Sequence, residues 1–199
     1  MINNCDNTYF IFTNKNSLSK DLCDDIIKLF EDDYNNQYKG LTASGVNNKI
    51  KDTWDLNITD GGDYWKRYCK VLARELTNNI SEYYKKYNIN MDDYNILNAN
   101  SLITTSMQVQ KYIKNTGKYI FHNDFDCDFI TKRTRILTFL WYLNDVEEGG
   151  ETVFVNNVKI KPESGKLVLF PASWDYPHKA NVPISNHKYI ITGWLWKQY

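Results

Sequence analysis

Lys188-Tyr189-Ile190-Ile191-Thr192-Gly193-Trp194-Leu195-Trp196 alternates in a way that decides the architecture. β-Branched and aromatic residues dominate it, and in an extended strand residues two apart share a face. Lys188, Ile190, Thr192, Trp194 and Trp196 therefore lie on one side. A lysine on the inner side of an apolar strand is costly unless an anion meets it. That anion is either a protein carboxylate or an acidic ligand.

Upstream, Arg135-Ile136-Leu137-Thr138-Phe139-Leu140-Trp141-Tyr142-Leu143-Asn144 shows the same period and puts Thr138, Leu140 and Tyr142 on one face. From residue 106 onward the pattern predicts eight strands, at 106–113, 118–124, 135–144, 151–155, 158–161, 166–170, 176–182 and 188–197, separated by turn residues. Glu147 and Glu148, beside Gly149-Gly150, belong to one of those turns and read as solvated residues.

The first half has a helical period instead. After the apolar run Tyr9 to Phe12, Ser17 or Ser19 caps a helix with apolar positions Leu22, Ile26, Leu29 and Phe30, ending near Asn35-Asn36. Residues 39 to 62 read as a loop. A long helix follows, with the stripe Trp65, Tyr68, Leu72, Leu76, Ile80, Tyr83 and Tyr87 packing on a sheet. Helices followed by strands predict a single α+β domain, a helix-backed sandwich or barrel. In it, residues 1–105 form a helical support and 106–199 the strand-rich core.

The 199 residues carry equal numbers of basic and acidic side chains, 24 of each, so the broad positive footprint of a nucleic-acid binder is missing. With 42% hydrophobic residues the chain has the composition of a folded protein. No leader-like or membrane-length apolar stretch is found, and the expectation is a cytoplasmic protein. Cys5, Cys23, Cys69 and Cys127 are widely spaced, as suits reduced thiols.

There are three histidines. In His122-Asn123-Asp124 an imidazole and a carboxylate point to one face. Alone this is weak evidence, since an ordinary His–carboxylate hydrogen bond explains it. A further histidine would complete the two-His-one-carboxylate set of non-haem Fe(II) oxygenases. His187 adjoins Lys188 and faces outward if Lys188 faces inward, which leaves His178. Zinc also fits such a set, but a zinc hydrolase leaves Lys188 unexplained.

Tyr112, Gly117, Tyr119, His122-x-Asp124, Arg135-x-x-Thr138, Tyr142 through Thr152, Pro177-His178, and Lys188 with Trp194 six residues on follow one another in an order that resembles the catalytic domain of the prolyl 4-hydroxylase group of Fe(II)/2-oxoglutarate-dependent dioxygenases. The resemblance spans about residues 107 to 197. It implies a double-stranded β-helix, a jelly-roll of the cupin-like kind, backed by the N-terminal helices. It also implies that His122, Asp124 and His178 hold iron and that Lys188 meets the 5-carboxylate of 2-oxoglutarate. Tyr142 and Thr138 assist Lys188, and Tyr112 lies near the cosubstrate. Tyr119 and Trp194 shape the substrate pocket. Arg133, a candidate substrate contact, belongs to a loop, Phe125 to Thr134, that either closes over the substrate or is an ordinary solvated loop.

The implied reaction hydroxylates a C–H bond, foremost of prolyl residues in a peptide or protein, with Fe(II), 2-oxoglutarate and O2 consumed or bound and succinate and CO2 released. Ascorbate is an implied accessory reductant. A free amino acid or other small molecule is the alternative substrate, and a non-catalytic metal-binding interaction module the alternative of a different class. Two departures bear on the substrate and leave the iron chemistry alone. The Tyr112 to His122 interval is one residue longer than in collagen-type members, and Pro183 falls one place later.

Overall fold

The computed structural model describes residues 9–89, 102–155 and 157–198. In chain order the strands are β1 (Phe12–Asn14), β2 (Tyr38–Lys39), β3 (Leu41–Thr42), β4 (Gly45–Val46), β5 (Lys51–Asp52), β6 (Trp54–Asn57), β7 (Leu102–Tyr112), β8 (Lys118–His122), β9 (Cys127–Asp128), β10 (Arg133–Tyr142), β11 (Thr152–Phe154), β12 (Lys159–Ile160), β13 (Leu167–Pro171), β14 (His178–Ala180) and β15 (Lys188–Gln198). The helices are α1 (Lys20–Asp32) and α2 (Gly62–Lys86).

Two antiparallel sheets form an α+β jelly-roll. The larger runs β1-β13-β10-β15-β7-β6-β2, with β9 added beside β10, and the smaller runs β12-β11-β14-β8-β5. Alternation along β10 sorts its side chains. Leu137, Phe139 and Trp141 join the outer core under the helices, whereas Leu140 and Tyr142 turn inward to Phe154, Val168, Phe170 and Ile190.

The helices cover the outer face of the larger sheet. Ser19 caps α1 by accepting the Leu22 N–H at 3.3 Å, and Cys23, Ile26 and Phe30 are buried. Ser17, the other candidate cap, instead accepts hydrogen bonds from Trp141 Nε1 at 2.8 Å and Asn79 Nδ2 at 3.0 Å. The stripe of α2 buries Trp65, Tyr68, Leu72, Leu76, Ile80 and Tyr83 against Leu56, Val109, Phe139 and Ile191. Each such side chain stabilises the fold by about 1.5–3 kcal/mol.

All eight strands predicted after residue 106 are present, with ends shifted by a few residues. The reading of residues 39–62 as a loop is corrected. That segment contributes β5 to the smaller sheet, paired with β8, and β6 to the larger, paired with β7, while β3 and β4 form a separate hairpin. β1 adds a further edge, on β13. These strands are short, and their inward side chains are polar, so no apolar period marks them. The segment Phe125 to Thr134 is pinned as a hairpin by pairing of β9 with β10 and by Asp128, which accepts the backbone N–H groups of Ile130 and Thr131.

Cys23, Cys69 and Cys127 are free thiols; Cys5 lies outside the described residues. Among the described residues no helix is long and apolar enough to cross a membrane.

Candidate active site

Between the two sheets lies a cavity of about 460 Å³. His122 ends β8 and His178 opens β14, and the two are register partners across the smaller sheet. Asp124 follows in the irregular stretch after β8, which turns its carboxylate back toward both imidazoles. His122 Nε2 is 3.8 Å from Asp124 Oδ1, and His178 Nε2 is 3.7 Å from Oδ2. One potential ligand atom from each residue lies within 4.8 Å of the others.

The far side of each imidazole is fixed by backbone. His122 Nδ1–H donates to Ile120 O at 2.8 Å, and His178 Nδ1–H to Tyr176 O at 3.2 Å. A ring nitrogen so engaged leaves the Nε2 lone pair for a metal. Burial, reinforced by the adjacent His178, pulls His122 down to about 4, so its imidazole is neutral at pH 7. Burial by itself would raise Asp124, yet His178, His122 and the Thr138 hydroxyl outweigh it and hold the carboxyl below its ordinary value. Two imidazoles and one carboxylate, converging from one side with the cavity on the other, are a donor set suited to Fe(II). Thr138 Oγ1 donates to Asp124 Oδ2 at 2.7 Å, and Tyr119 stacks on His122 with ring centroids 3.5 Å apart.

At another part of the same cavity Lys188 is 1% exposed. Its Nζ donates to Gly150 O at 2.9 Å and sits 3.9 Å from the Tyr112 ring centroid. Gly150 and its neighbour Gly149 both adopt φ +75°, and a Cβ at Gly149 would collide with the Val182 carbonyl. The Gly149-Gly150 turn thus turns a carbonyl, and no carboxylate, toward the amine. Burial lowers Lys188 to about 7, against a small opposing pull from Glu151.

Residues 107–196 match the family model of the 2OG-Fe(II) oxygenase superfamily. No curated protein sequence matches the chain. Among solved structures, a prolyl hydroxylase from Trichoplax adhaerens, in complex with a hypoxia inducible factor peptide fragment, superposes with a TM-score of 0.70 at 24% identity, covering 96% of this chain and 85% of that one. The viral collagen prolyl hydroxylase of Paramecium bursaria Chlorella virus-1, a 2OG complex, gives 0.65 at 23%, covering 94% and 96%. A Pseudomonas putida prolyl-4-hydroxylase gives 0.66 at 17%, covering 93% and 91%. At these identities the likeness is one of fold.

Most side chains singled out in the sequence meet at the cavity between the sheets: Tyr112, Tyr119, His122, Asp124, Thr138, His178, Lys188 and Trp194 all line it. His187 faces outward and accepts the Lys114 N–H. Three expectations are revised. Arg133 is absent from the lining because its guanidinium pairs with Asp128 at 3.3 Å and stacks on Trp196. Arg135, two residues on and the same side up, takes the lining place. It stacks 3.8 Å from the Trp194 ring centroid, pairs with Asp126 at 3.1 Å and donates to Asp124 O at 3.3 Å. Tyr142 is wholly buried, and its hydroxyl is engaged within the wall by Thr152 Oγ1 at 2.6 Å and Ile160 O at 3.2 Å. Thr138 lines the cavity but spends its proton on Asp124.

Glu147 sits at the surface beside Lys161, as its turn position predicts. Lys51, Asp55 and Gln110, outside the motifs quoted above, also line the cavity, as do Arg135 and Thr152 from within them. The signal was there for two of them, since Lys51, Thr53 and Asp55 recur at the two-residue spacing of a strand.

Proposed function

We propose that the protein is an Fe(II)/2-oxoglutarate-dependent dioxygenase that hydroxylates a C–H bond of a prolyl residue in a peptide or protein, releasing succinate and CO2. The observation that carries this reading is the pairing, in one cavity, of the His122/Asp124/His178 set with Lys188, a buried amine whose hydrogen-bond partner among the described residues is the Gly150 carbonyl. A metal-binding scaffold has no need of the second feature. A zinc hydrolase has none either.

Iron, when bound with 2-oxoglutarate and O2, supplies the oxidising chemistry, and the cosubstrate is decarboxylated as the substrate gains its hydroxyl. The chain's own residues bind, orient and exclude water. His122, Asp124 and His178 would hold the metal from one side and leave the cavity side open. Thr138 fixes the Asp124 carboxylate. Lys188, bonded to a carbonyl that satisfies one of its three protons, offers the others to the distal carboxylate of the cosubstrate, a charge-assisted contact. Tyr112 packs flat against that amine. Arg135 and Trp194, stacked at the side of Asp124, form the wall on which a substrate would lie. No side chain here need act as nucleophile or general base.

The prolyl part of the reading is supported by the three solved structures above, each described as a prolyl hydroxylase, one of them with a peptide bound. The test is to add 2-oxoglutarate to the anaerobic Fe(II) protein and record the visible spectrum. A metal-to-ligand charge-transfer band is expected, and its absence would count against the cosubstrate. An array of proline-containing peptides scored for the mass gain of one oxygen atom then tests the substrate. Oxidation of free proline alone would shift the assignment to a small-molecule hydroxylase.

A further inference from the structure

Beside the metal-ligand cluster the cavity wall contains an ion pair that the reaction above does not use. Lys51 Nζ lies 2.6 Å from Asp55 Oδ2, and the two side chains are 5% and 1% exposed. Both line the cavity. Burying such a pair brings little stability, because desolvation consumes most of the attraction and two apolar side chains would serve the fold as well.

The pair is placed by topology next to the chemistry. Lys51 in β5 is the register partner of Tyr119 in β8, and its Nζ is 5.5 Å from the Tyr119 ring centroid. Tyr119 in turn stacks on His122. Asp55, in β6, is steadied from the other side by Gln110, whose Nε2 donates to Oδ2 at 3.4 Å and to Gln108 Oε1 at 3.3 Å. The Thr53 hydroxyl also faces its carboxylate. Asp55 Oδ2 is therefore shared by two donors, whereas Oδ1 and the Lys51 ammonium each keep hydrogen-bonding capacity unused among the described residues. That ammonium has three donors, and among the described residues Asp55 is the acceptor it finds.

Because Asp55 cancels the charge, this ammonium is a hydrogen-bond donor without net electrostatic pull. A free carboxylate would have to shed its water for no compensating charge, and an ammonium would meet a cation. A neutral carbonyl oxygen fits. Gln108 and Gln110 continue the same wall with uncharged amides. We propose that Lys51, neutralised by Asp55, is a substrate-anchoring subsite that donates to a main-chain carbonyl of a peptide. The assignment rests on the function proposed above and deepens it, since the subsite selects a peptide over a free amino acid.

The test uses the full chain loaded with Mn(II) and 2-oxoglutarate under argon, with binding as the readout. The probes are 2-oxoglutarate, the blocked peptide acetyl-(Ala-Pro-Gly)3-amide and free L-proline. The variant Lys51→Met/Asp55→Asn removes the donor without stranding a buried charge. It is expected to bind 2-oxoglutarate within twofold of wild type and the peptide at least tenfold more weakly, with L-proline binding unchanged. Should the double variant not fold, thioamide replacement of each peptide carbonyl in turn is read on wild-type protein, where one position is expected to lose at least tenfold.

Peptide affinity in the folded double variant within twofold of wild type, or a thioamide scan with no sensitive position, overturns the assignment. A wild-type protein that binds 2-oxoglutarate and not the peptide also overturns it while leaving the cosubstrate reading standing. Failure to bind 2-oxoglutarate overturns the underlying function, and shows itself separately.

Discussion

The hydroxyl of Thr138, on β10 of the larger sheet, donates to Oδ2 of Asp124 at 2.7 Å, tying the one carboxylate of the metal-ligand set to the opposite wall of the cavity. The bond fixes which way that carboxylate faces and leaves Oδ1 beside His122. Thr138→Val keeps the shape and deletes the donor. Loss of a partner of this kind lowers metal affinity by roughly 10- to 100-fold. Competition for Fe(II) against a chelator of known affinity measures it, and an unchanged affinity would show that Asp124 orients itself.

Lys188 carries a second prediction, in which function and stability oppose each other. At pH 7 the folded protein holds this amine near its midpoint, whereas the unfolded chain holds it charged, a cost of about 4 kcal/mol. Lys188→Met should abolish saturable 2-oxoglutarate binding and raise the melting temperature of the ligand-free protein. Each kcal/mol regained is worth roughly 2–4 °C in a chain of this size. A fall in melting temperature would mean that the Gly150 hydrogen bond outweighs the desolvation.

The same amine sets a pH dependence. Its value in the folded state, about 7, lies below the ordinary 10.5, so between those limits the unfolded chain binds the extra proton and stability rises with pH. Below pH 7 both states are charged and the contribution is flat. Binding of a dicarboxylate runs the opposite way, because it needs the ammonium. Titration of the metal-loaded protein should give 2-oxoglutarate affinity that is level below about pH 7 and weakens by up to tenfold per unit above it. Glu151, the nearest acid acting on Lys188, is held below its ordinary value and does not titrate in that range.

Two arginines that sequence alone does not distinguish should separate in function. Arg135→Gln removes a side chain that lines the cavity and packs on Trp194, and is expected to cut kcat/KM for a peptide about tenfold or more, which corresponds to about 1.4 kcal/mol or more. Arg133→Gln, which loses the pairing with Asp128 and the stacking on Trp196 but no group in the cavity lining, is expected to stay within about twofold. Equal losses would place Arg133 in the substrate path after all.

The sequence made the metal-ligand set and Lys188 legible because strand alternation is strict where one face is apolar. His122 and Asp124 could be put on one face from spacing, and Lys188 could be put inside from its neighbours. The eight strands followed from the same rule. What could not be read is the polar wall. β5 and β6 turn Lys51 and Asp55 inward, where hydrophobic periodicity has nothing to report, and Asn- and Gly-rich flanks make the segment look like a loop. Arg133 and Arg135 share a face, and only the fold shows that the first is captured by Asp128 before it reaches the cavity. Tyr142 has the right face too, but Thr152 and Ile160 engage its hydroxyl across a distance in sequence that no local pattern encodes.

β15 presents Lys188, Thr192 and Trp194 to the cavity from a single eleven-residue strand, clamped between β10 and β7 along its length. The spacing between the inner amine and the outer indole is therefore a ruler made of backbone. One inserted residue between them would send every later side chain to the helix-covered side, leaving the amine buried while the indole vanished from the mouth. Insertions in the loops at either end of the strand would leave that spacing intact.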